Sequence, residues 1–268
     1  MRSAVELKQI FQRGWNVPAR VENYLRQSPE FTEGDRYLAW RKALSAALGT
    51  DARQTILDAG TGPGFFACLY SQMGHDCRGL DFSERMLSMA RGRASELNLD
   101  TTFVMADAEE PPFQSATFDA VSSRHLLFNL PRPGVAIREW VRLLKPGGRL
   151  ILIGNDHDEA HPASRTRRGW NRMRNWLARF RRNGRPIWTP EPGYIDAVSE
   201  CPLFCHGSKT LRAVMEAAGL ENIHSIPTKD IQAARSKYPR KNHRMVGLSE
   251  LFILVGTKPE QPRGVSDI

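Results

Sequence analysis

The chain contains the stretch Thr55-Ile-Leu-Asp-Ala-Gly-Thr-Gly-Pro-Gly-Phe65, which joins a short apolar strand pattern to a glycine loop and a helix start. Gly60 and Gly62 carry no Cβ, so the backbone can turn tightly at both positions. A ligand can then approach the main-chain N–H groups at the N-terminus of the following helix. This pattern is typical of a site for a nucleotide-type cofactor.

Phe65 separates this loop from the fingerprint of dinucleotide-binding proteins. Counting from Gly60, the third glycine of that fingerprint would fall at position 65, where this sequence has a phenylalanine. A bulky ring there would obstruct the close packing of helix on strand that the third glycine permits. Asp58 would also repel a pyrophosphate, although its carboxylate can organise the loop amides or accept from a cationic amine. The sequence therefore disfavours NAD and FAD.

Two further acids stand at the ends of the next strand patterns. Asp81 follows the short strand Cys77 to Leu80, where a carboxylate suits a ribose diol. Asp107 ends the apolar run that starts at Thr102 and stands beside the small Ala108, where it can accept from the exocyclic amine of adenine. Each acid alone could be only a strand-end turn or a helix N-cap. Three acids in order at successive strand ends favour a binding site instead.

Together these residues resemble the class I S-adenosylmethionine-dependent methyltransferases, especially the small-molecule members of the ubiquinone and menaquinone methyltransferase type. The resemblance covers about residues 50 to 155, with weaker similarity to Lys258. It also rests on the segments Phe118-Asp-Ala-Val-Ser-Ser-Arg-His125 and Leu144-Lys-Pro-Gly-Gly-Arg-Leu150. The resemblance implies S-adenosyl-L-methionine as the cofactor. The implied cofactor-binding residues are Asp58, Gly60, Gly62, Asp81, Phe82, Asp107, Ala108, Ser123 and Arg124.

Within that resemblance, each group of residues is expected to face one part of the cofactor. Asp58 and the two loop glycines would face its methionine part, and Asp81 its ribose hydroxyls. Asp107 and Ala108 would face the adenine. Ser123 and Arg124, just after the fourth strand, would lie near the sulfonium and the carboxylate.

Strand and helix patterns alternate along the chain, which predicts an α/β fold with a Rossmann-like, doubly wound sheet of seven strands. The turn Pro146-Gly-Gly148 leads into a fifth strand over Arg149 to Ile153. Ile223 to Ile226 and Leu251 to Val255 are predicted to be the sixth and seventh strands. By resemblance, the last strand is expected to run antiparallel to the otherwise parallel sheet.

Four apolar stripes at helical spacing predict ordinary core-facing helices. The stripes are Tyr37, Trp40, Leu44 and Leu48; Met86, Ala90, Ala94 and Leu97; Ile137, Trp140, Val141 and Leu144; and Leu211, Val214, Met215 and Ala218. We predict a single domain over residues 1–258, followed by a disordered tail over 259–268. Its parts are N-terminal helices (1–50), a cofactor-binding core (51–154), a basic cap insertion (155–207) and a C-terminal part of the core (208–258).

Composition agrees with one enzyme domain outside the membrane. The chain has 268 residues, of which 41% are hydrophobic, and it contains no apolar run near the ~20 residues of a membrane span. The segment Met1 to Lys8 lacks the apolar core of a signal peptide, so a cytoplasmic location is expected. The four cysteines indicate no disulfide framework in that compartment.

The net charge of the chain is +9, and the positive charge is concentrated in the predicted cap. Nine arginines lie between Arg165 and Arg185, and no Asp or Glu occurs between Glu159 and Glu191. Trp170 and Phe180 share an apolar helical face with other large residues, which predicts a basic amphipathic helix. Its arginines could be solvated above a closed pocket, could contact an anionic substrate or protein, or could meet nucleic acid or a membrane surface.

Nucleic acid is the least favoured of these partners. The sequence shows no recognisable RNA-binding module. It also lacks the Asn/Asp-Pro-Pro-aromatic loop that amino-methylating nucleic-acid enzymes resembling this fold carry after the fourth strand. Here that place reads Ser122-Ser-Arg-His125.

His125 is the first candidate for a general base, because its ordinary pKa lies near neutrality and the loop after the fourth strand opens towards the transferring methyl group. It could instead only orient the cofactor or cap the next helix. Asp156, His157 and Glu159 are weaker candidates from the same rim. No metal site is predicted, since the run from Cys201 to His206 has three ligands where a structural zinc site usually needs four.

The sequence thus predicts a methyltransferase that uses S-adenosyl-L-methionine to methylate oxygen or nitrogen of a small metabolite, which could be anionic. Transfer needs the acceptor to be held in line with the methyl group in a dry pocket. RNA methylation through the arginine-rich cap is one alternative. A cofactor-binding regulatory protein without transfer activity is another.

Overall fold

Seven strands form one sheet in the computed structural model, which describes residues 2–18, 21, 34–156, 194–204, 206–236 and 250–260. The strands are β1 (Thr55–Ala59), β2 (Asp76–Asp81), β3 (Thr102–Met105), β4 (Phe118–Arg124), β5 (Leu144–Asn155), β6 (Glu221–Ser225) and β7 (Leu251–Thr257). The helices in this part are α1 (Ala4–Asn16), α2 (Gly34–Leu48), α3 (Phe65–Gln72), α4 (Glu84–Glu96), α5 (Pro133–Leu143), α6 (Tyr194–Ser199), α7 (Ser208–Ala217) and α8 (Lys229–Ser236), with a 3₁₀ helix at Leu127–Asn129.

The order of the strands confirms the predicted fold class. Across the sheet it reads β3-β2-β1-β4-β5-β7-β6. The first five strands are parallel, and β7 runs antiparallel between β5 and β6, as expected from the resemblance. The order in which strands are added to the sheet switches sides at β1. This strand pairs with β2 on one side and with β4 on the other. Ligands of such sheets bind at this switch point, outside the carboxyl ends of the strands.

Helices cover both faces of the sheet. Successive side chains of a strand point to opposite faces, so each strand contributes to both layers of the core. On one face Ile56 and Ile151 pack in the cluster that contains Trp40 and Phe66 from α2 and α3. On the other face Leu57 and Leu152 pack with residues of α5 and α7. Burial on both sides explains why these strands read as continuous apolar runs.

The predicted helical stripes are confirmed, with changes at the helix ends. Most of their residues are buried, whereas Val141 and Val214 are partly buried, and Leu97 and Ala218 lie at C-caps just beyond their helices. Leu144, predicted on the helix after the fourth strand, instead begins β5. That strand is longer than the predicted Arg149 to Ile153, because Leu144 already pairs with Phe118 before an irregularity in the register.

Several sequence-based predictions lie outside the described residues. They include the basic helix over 165–185, most of the cap, the tail from 261 onward and the candidates His157 and Glu159. The division of the chain into the four predicted parts stays a prediction. In the part of the chain that the structure describes, no helix is both long enough and apolar enough to cross a bilayer. Its cysteines, Cys68, Cys77 and Cys201, are buried free thiols.

Candidate cofactor site at the carboxyl ends of the strands

The glycine loop lies directly after β1 and is bonded to the end of β2. The amides of Gly60 and Thr61 both donate to the carbonyl of Leu80, at 2.8 and 2.9 Å. Gly60 has a φ of +74°, and a Cβ there would lie 2.7 Å from Cδ2 of Leu126. The left-handed conformation therefore favours glycine, and a Cβ at this position would also require the Leu126 side chain to move.

Asp58 is buried at the end of β1, below the loop. It accepts from the Thr61 hydroxyl at 2.7 Å and from the backbone N–H of Ala67 in α3. Burial raises the pKa of Asp58 to about 6, against the lowering effect of these bonds and of the Arg124 charge. The carboxylate is thus held between the loop and the helix N-terminus, and a cation beside it would favour its ionised form.

Asp81 joins the ends of β1 and β2. One of its oxygens accepts from the Gly62 amide and the other from the Ser83 amide, both at 2.9 Å. Burial raises its pKa to about 6, although the backbone bonds act in the opposite direction. The structure therefore brings Asp58, Gly60, Gly62 and Asp81 together at one edge of the sheet.

Two further glycines beside the loop, which sequence reasoning did not assign to the site, lie in close contact with neighbouring elements. Gly64 has a φ of +77°, and a Cβ there would lie 2.8 Å from Cβ of Ala90 in α4. A Cβ at Gly79 would lie 2.7 Å from the ring of Phe103. Gly64, one residue before Phe65, thus permits the close approach of α3 to α4. The position of Gly64 in the glycine loop between Thr55 and Phe65 was the sequence signal that could have identified it.

Asp107 follows β3 and has both carboxylate oxygens engaged. One accepts from the Glu109 amide at 2.9 Å, and the other accepts from Nζ of Lys8 at 2.5 Å. Ala108 is buried, and its carbonyl accepts from the indole N–H of Trp140 at 2.9 Å. The pair expected at the adenine therefore lies between α1 and α5.

Lys8 and Glu109 are parts of this site that the sequence did not reveal. The Glu109 side chain is fully buried and pairs with Lys8 at 2.7 Å and with Arg132 at 2.8 Å. Burial alone would lower the pKa of Lys8, but its hydrogen bonds to Asp107 and Glu109 outweigh that effect and raise it. No spacing rule connects residues about a hundred positions apart, so the sequence carried no signal for these pairs.

Helix α1 also contacts the residues after β2. Phe82 packs against the cluster of Leu7 and Phe11, and its carbonyl accepts from the side-chain Nε2 of Gln12 at 3.2 Å. The Ser83 hydroxyl donates to Oδ1 of Asn16 at 2.8 Å. Ser83 in turn caps the N-terminus of α4. The predicted cofactor residue Phe82 thus lies under the N-terminal helix.

Ser123 and Arg124 end β4 at the same edge. The Ser123 hydroxyl donates to the Ala59 carbonyl at 2.9 Å, which ties β4 to β1. The Arg124 guanidinium lies over the rings of Trp40 and Phe66, at 5.6 and 5.2 Å from their centroids. Its charge lowers the pKa of nearby Asp58 against the larger effect of burial.

His125 follows β4 with a left-handed backbone. Its φ is +54°, its amide donates to the Ile153 carbonyl at 3.0 Å, and its carbonyl accepts from the Asn129 side chain at 3.1 Å. It borders a small cavity with Leu126 and Phe128. Backbone conformations of this kind in residues other than glycine concentrate at functional sites. The geometry is compatible with the predicted role of His125 and does not test it.

The Asp156 carboxylate accepts hydrogen bonds at a helix N-terminus. Its carboxylate accepts from the amide of Ser208 at 2.5 Å and from the hydroxyl of the same residue at 2.9 Å, at the N-terminus of α7. Negative charge is favourable there. This engagement leaves Asp156 poorly placed as a base. Within the described ranges, His, Cys, Asp and Glu side chains form no group of three that could hold a metal ion.

The fold and this site define a class of protein. Residues 57–152 match the family model described as a methyltransferase domain. This part of the chain is therefore a methyltransferase domain, in agreement with the class that the sequence resembles.

Individual relatives agree with that class. A demethylmenaquinone methyltransferase of Renibacterium salmoninarum is 33% identical over 46% of this chain and 50% of its own length. A ubiquinone/menaquinone biosynthesis C-methyltransferase of Enterobacter sp. is 28% identical over 69% of this chain and 73% of its own. The chain spans about half the length of most of the curated relatives it matches. The crystal structure of an S-adenosylmethionine-dependent methyltransferase from Thermotoga maritima has the same fold, with a TM-score of 0.55, 20% identity and coverage of 93% of this chain and 99% of that one.

Proposed function

We propose that this protein transfers the methyl group of S-adenosyl-L-methionine to a small molecule. The observation that carries this proposal is the pair of buried carboxylates, Asp58 and Asp81, on either side of the glycine loop at the switch point of the sheet. A ligand with a positive charge and a diol offers both of them favourable partners. The methyltransferase relatives support the same cofactor.

The residues present fit that cofactor. Beside Gly62, which has a φ of +53°, a Cβ would meet no atom within 4 Å, so there is room in front of the loop for a ligand. Asp58 would hold the methionine part, Asp81 the ribose and Asp107 the adenine amine. When bound, the cofactor supplies a methyl group already activated by its sulfonium. The protein then needs mainly to hold the acceptor in line and to exclude water.

The acceptor atom remains open to experiment. Oxygen or nitrogen was predicted from the sequence, whereas one of the relatives is named a C-methyltransferase, so carbon is a third acceptor to be tested. An acceptor that carries a proton at its reacting atom would lose that proton around the transfer step. His125 is proposed as the base that takes this proton, because it directly follows β4 at the carboxyl edge of the sheet and its ordinary pKa lies near neutrality. A small-molecule substrate, with or without negative charge, and a cytoplasmic location complete the proposal.

Isothermal titration tests the cofactor, with S-adenosyl-L-methionine, S-adenosylhomocysteine and NADH as ligands. We expect the first two to bind and NADH not to bind. Incubation of metabolite extracts with cofactor carrying a ¹³C-labelled methyl group then identifies the acceptor, because the chemical shift of the label distinguishes carbon, oxygen and nitrogen. Failure of both adenosyl ligands to bind would contradict the proposed function. Binding without transfer to any acceptor would favour a regulatory role.

A further inference from the structure

Helix α1 contacts the proposed cofactor site through three polar side chains. Lys8 pairs with Asp107 and Glu109, Gln12 donates to the Phe82 carbonyl, and Asn16 accepts from the Ser83 hydroxyl. These partners belong to the loops after β2 and β3, where the ribose and the adenine are proposed to bind. Hydrogen bonds and ion pairs therefore connect α1 to the two loops that would hold the adenosine.

The bond from Lys8 determines how Asp107 can meet a ligand. The carboxylate is held at one oxygen by the Glu109 amide and at the other by Lys8, so its orientation is fixed at both ends. The Asp107 side chain is still 34% exposed. A carboxylate offers about four lone-pair sites, so Asp107 retains accepting capacity on its open side.

Glu109 prevents Lys8 from turning away. Its side chain has no exposed surface, and Lys8 and Arg132 are the cations that pair with it. Removal of one partner from a buried ion pair costs several kcal/mol, because a buried charge loses compensation. Lys8 is thus held between a buried carboxylate and a partly exposed one, and it keeps this place when a ligand approaches the open side of Asp107.

We propose that Lys8 is a positioning residue of the adenine subsite. It holds Asp107 with its remaining accepting sites towards the ring, so that the pocket selects a purine with an exocyclic amine over one with a carbonyl at the same position. A carbonyl would place its oxygen against the Asp107 oxygen with no proton between them. This inference rests on the proposed function.

The experiment measures the affinity for S-adenosylhomocysteine and for S-inosylhomocysteine, in which a carbonyl replaces the amine. The unaltered protein should prefer the adenine ligand. Lys8→Met should bind that ligand about tenfold more weakly, the effect of one charge-assisted hydrogen bond, and should lose most of the preference between the two rings. Lys8→Arg retains the charge and should restore much of the preference.

Lys42→Met is the matched control. Lys42 pairs with Asp230 at 2.8 Å on an exposed surface, so its removal deletes a Lys–Asp ion pair away from the loops. It should change neither affinity nor preference. Thermal unfolding without ligand shows that each variant is folded.

The outcomes separate this inference from the proposed function. An equal loss of affinity for both ligands in Lys8→Met, or unchanged binding of both, would overturn the role of Lys8 while leaving the cofactor in place. Equal binding of both rings by the unaltered protein would overturn it as well. Failure of the unaltered protein to bind either ligand would contradict the proposed function itself.

Discussion

Asp58 carries an electrostatic cost in the folded protein. Burial raises its pKa from an ordinary value of 3.8 to about 6, so between these values the folded state binds more protons than the unfolded state. The stability that this group contributes is complete below pH 3.8 and is lost as the pH rises through 6. The cost of ionised Asp58 above pH 7 is on the order of 2–3 kcal/mol.

Asp58→Asn makes this cost measurable, because it keeps an oxygen for the Thr61 hydroxyl and removes the titration. The free energy of unfolding of the variant relative to the unaltered protein should rise between pH 4.5 and pH 8. Urea unfolding at both values gives the comparison, and carboxylates that do not interact with Asp58 cancel in the difference. A pH-independent difference would show that the Asp58 pKa is not raised.

His125 gives a second prediction, for which asparagine is the appropriate substitution. Asparagine tolerates the left-handed backbone found at this position, with φ +54°, better than alanine does. If the imidazole is the base, His125→Asn should lower kcat by about 10²-fold or more and leave the affinity for S-adenosyl-L-methionine nearly unchanged. Turnover rates and titration of the same preparation test this. Equal losses in both would assign His125 to cofactor binding.

The helix after the glycine loop depends on one close contact. A Cβ at Gly64 would lie 2.8 Å from Cβ of Ala90 and 3.1 Å from its Cα, so α3 and α4 can approach only while Gly64 has no side chain. Gly64→Ala should lower the free energy of unfolding by about 2–4 kcal/mol, from backbone strain and overpacking together. Urea unfolding measures the loss.

Gly219→Ala is the control for strain alone. Gly219 has a similar φ of +83°, but a Cβ there would meet no atom within 4 Å. We expect a loss of only about 1–2 kcal/mol, the cost of the left-handed conformation. Equal losses in the two variants would show that the contact with Ala90 does not restrict the packing of α3 on α4.

The identity of most helices and strands was predictable because their apolar periodicity is local. The stripe of Trp40, Leu44 and Leu48 packs as predicted, and so does the buried strand β4. The role of Asp156 was not predictable. It ranked as a candidate base, yet it caps a helix that begins 52 residues later in the chain. Its partner Ser208 comes close only after β5 and α7 have packed.

Ligand binding should stabilise the complete fold, because the proposed site joins loops from β1, β2, β3 and β4. A ligand at a hundred times its Kd adds about 2.7 kcal/mol if it binds only the folded state. For a chain of this size we expect S-adenosylhomocysteine to raise the Tm by about 5–10 °C. Thermal unfolding at several ligand concentrations tests this, with NADH as the ligand that should give no shift.

The sequence alone was sufficient for the class of fold and for placing the glycine loop and the acids Asp58, Asp81 and Asp107 near the carboxyl ends of the strands, while their contacts with the cofactor stay a prediction. Each depends on residues close together in the chain, and parallel strands bring their carboxyl ends to one edge without further information. Tertiary packing placed Gly64 against Ala90 and Asp156 at the N-terminus of α7. It also brought Lys8 to Asp107 and Glu109. These contacts link segments far apart in the chain, and their distances are set only when the helices seat on the sheet.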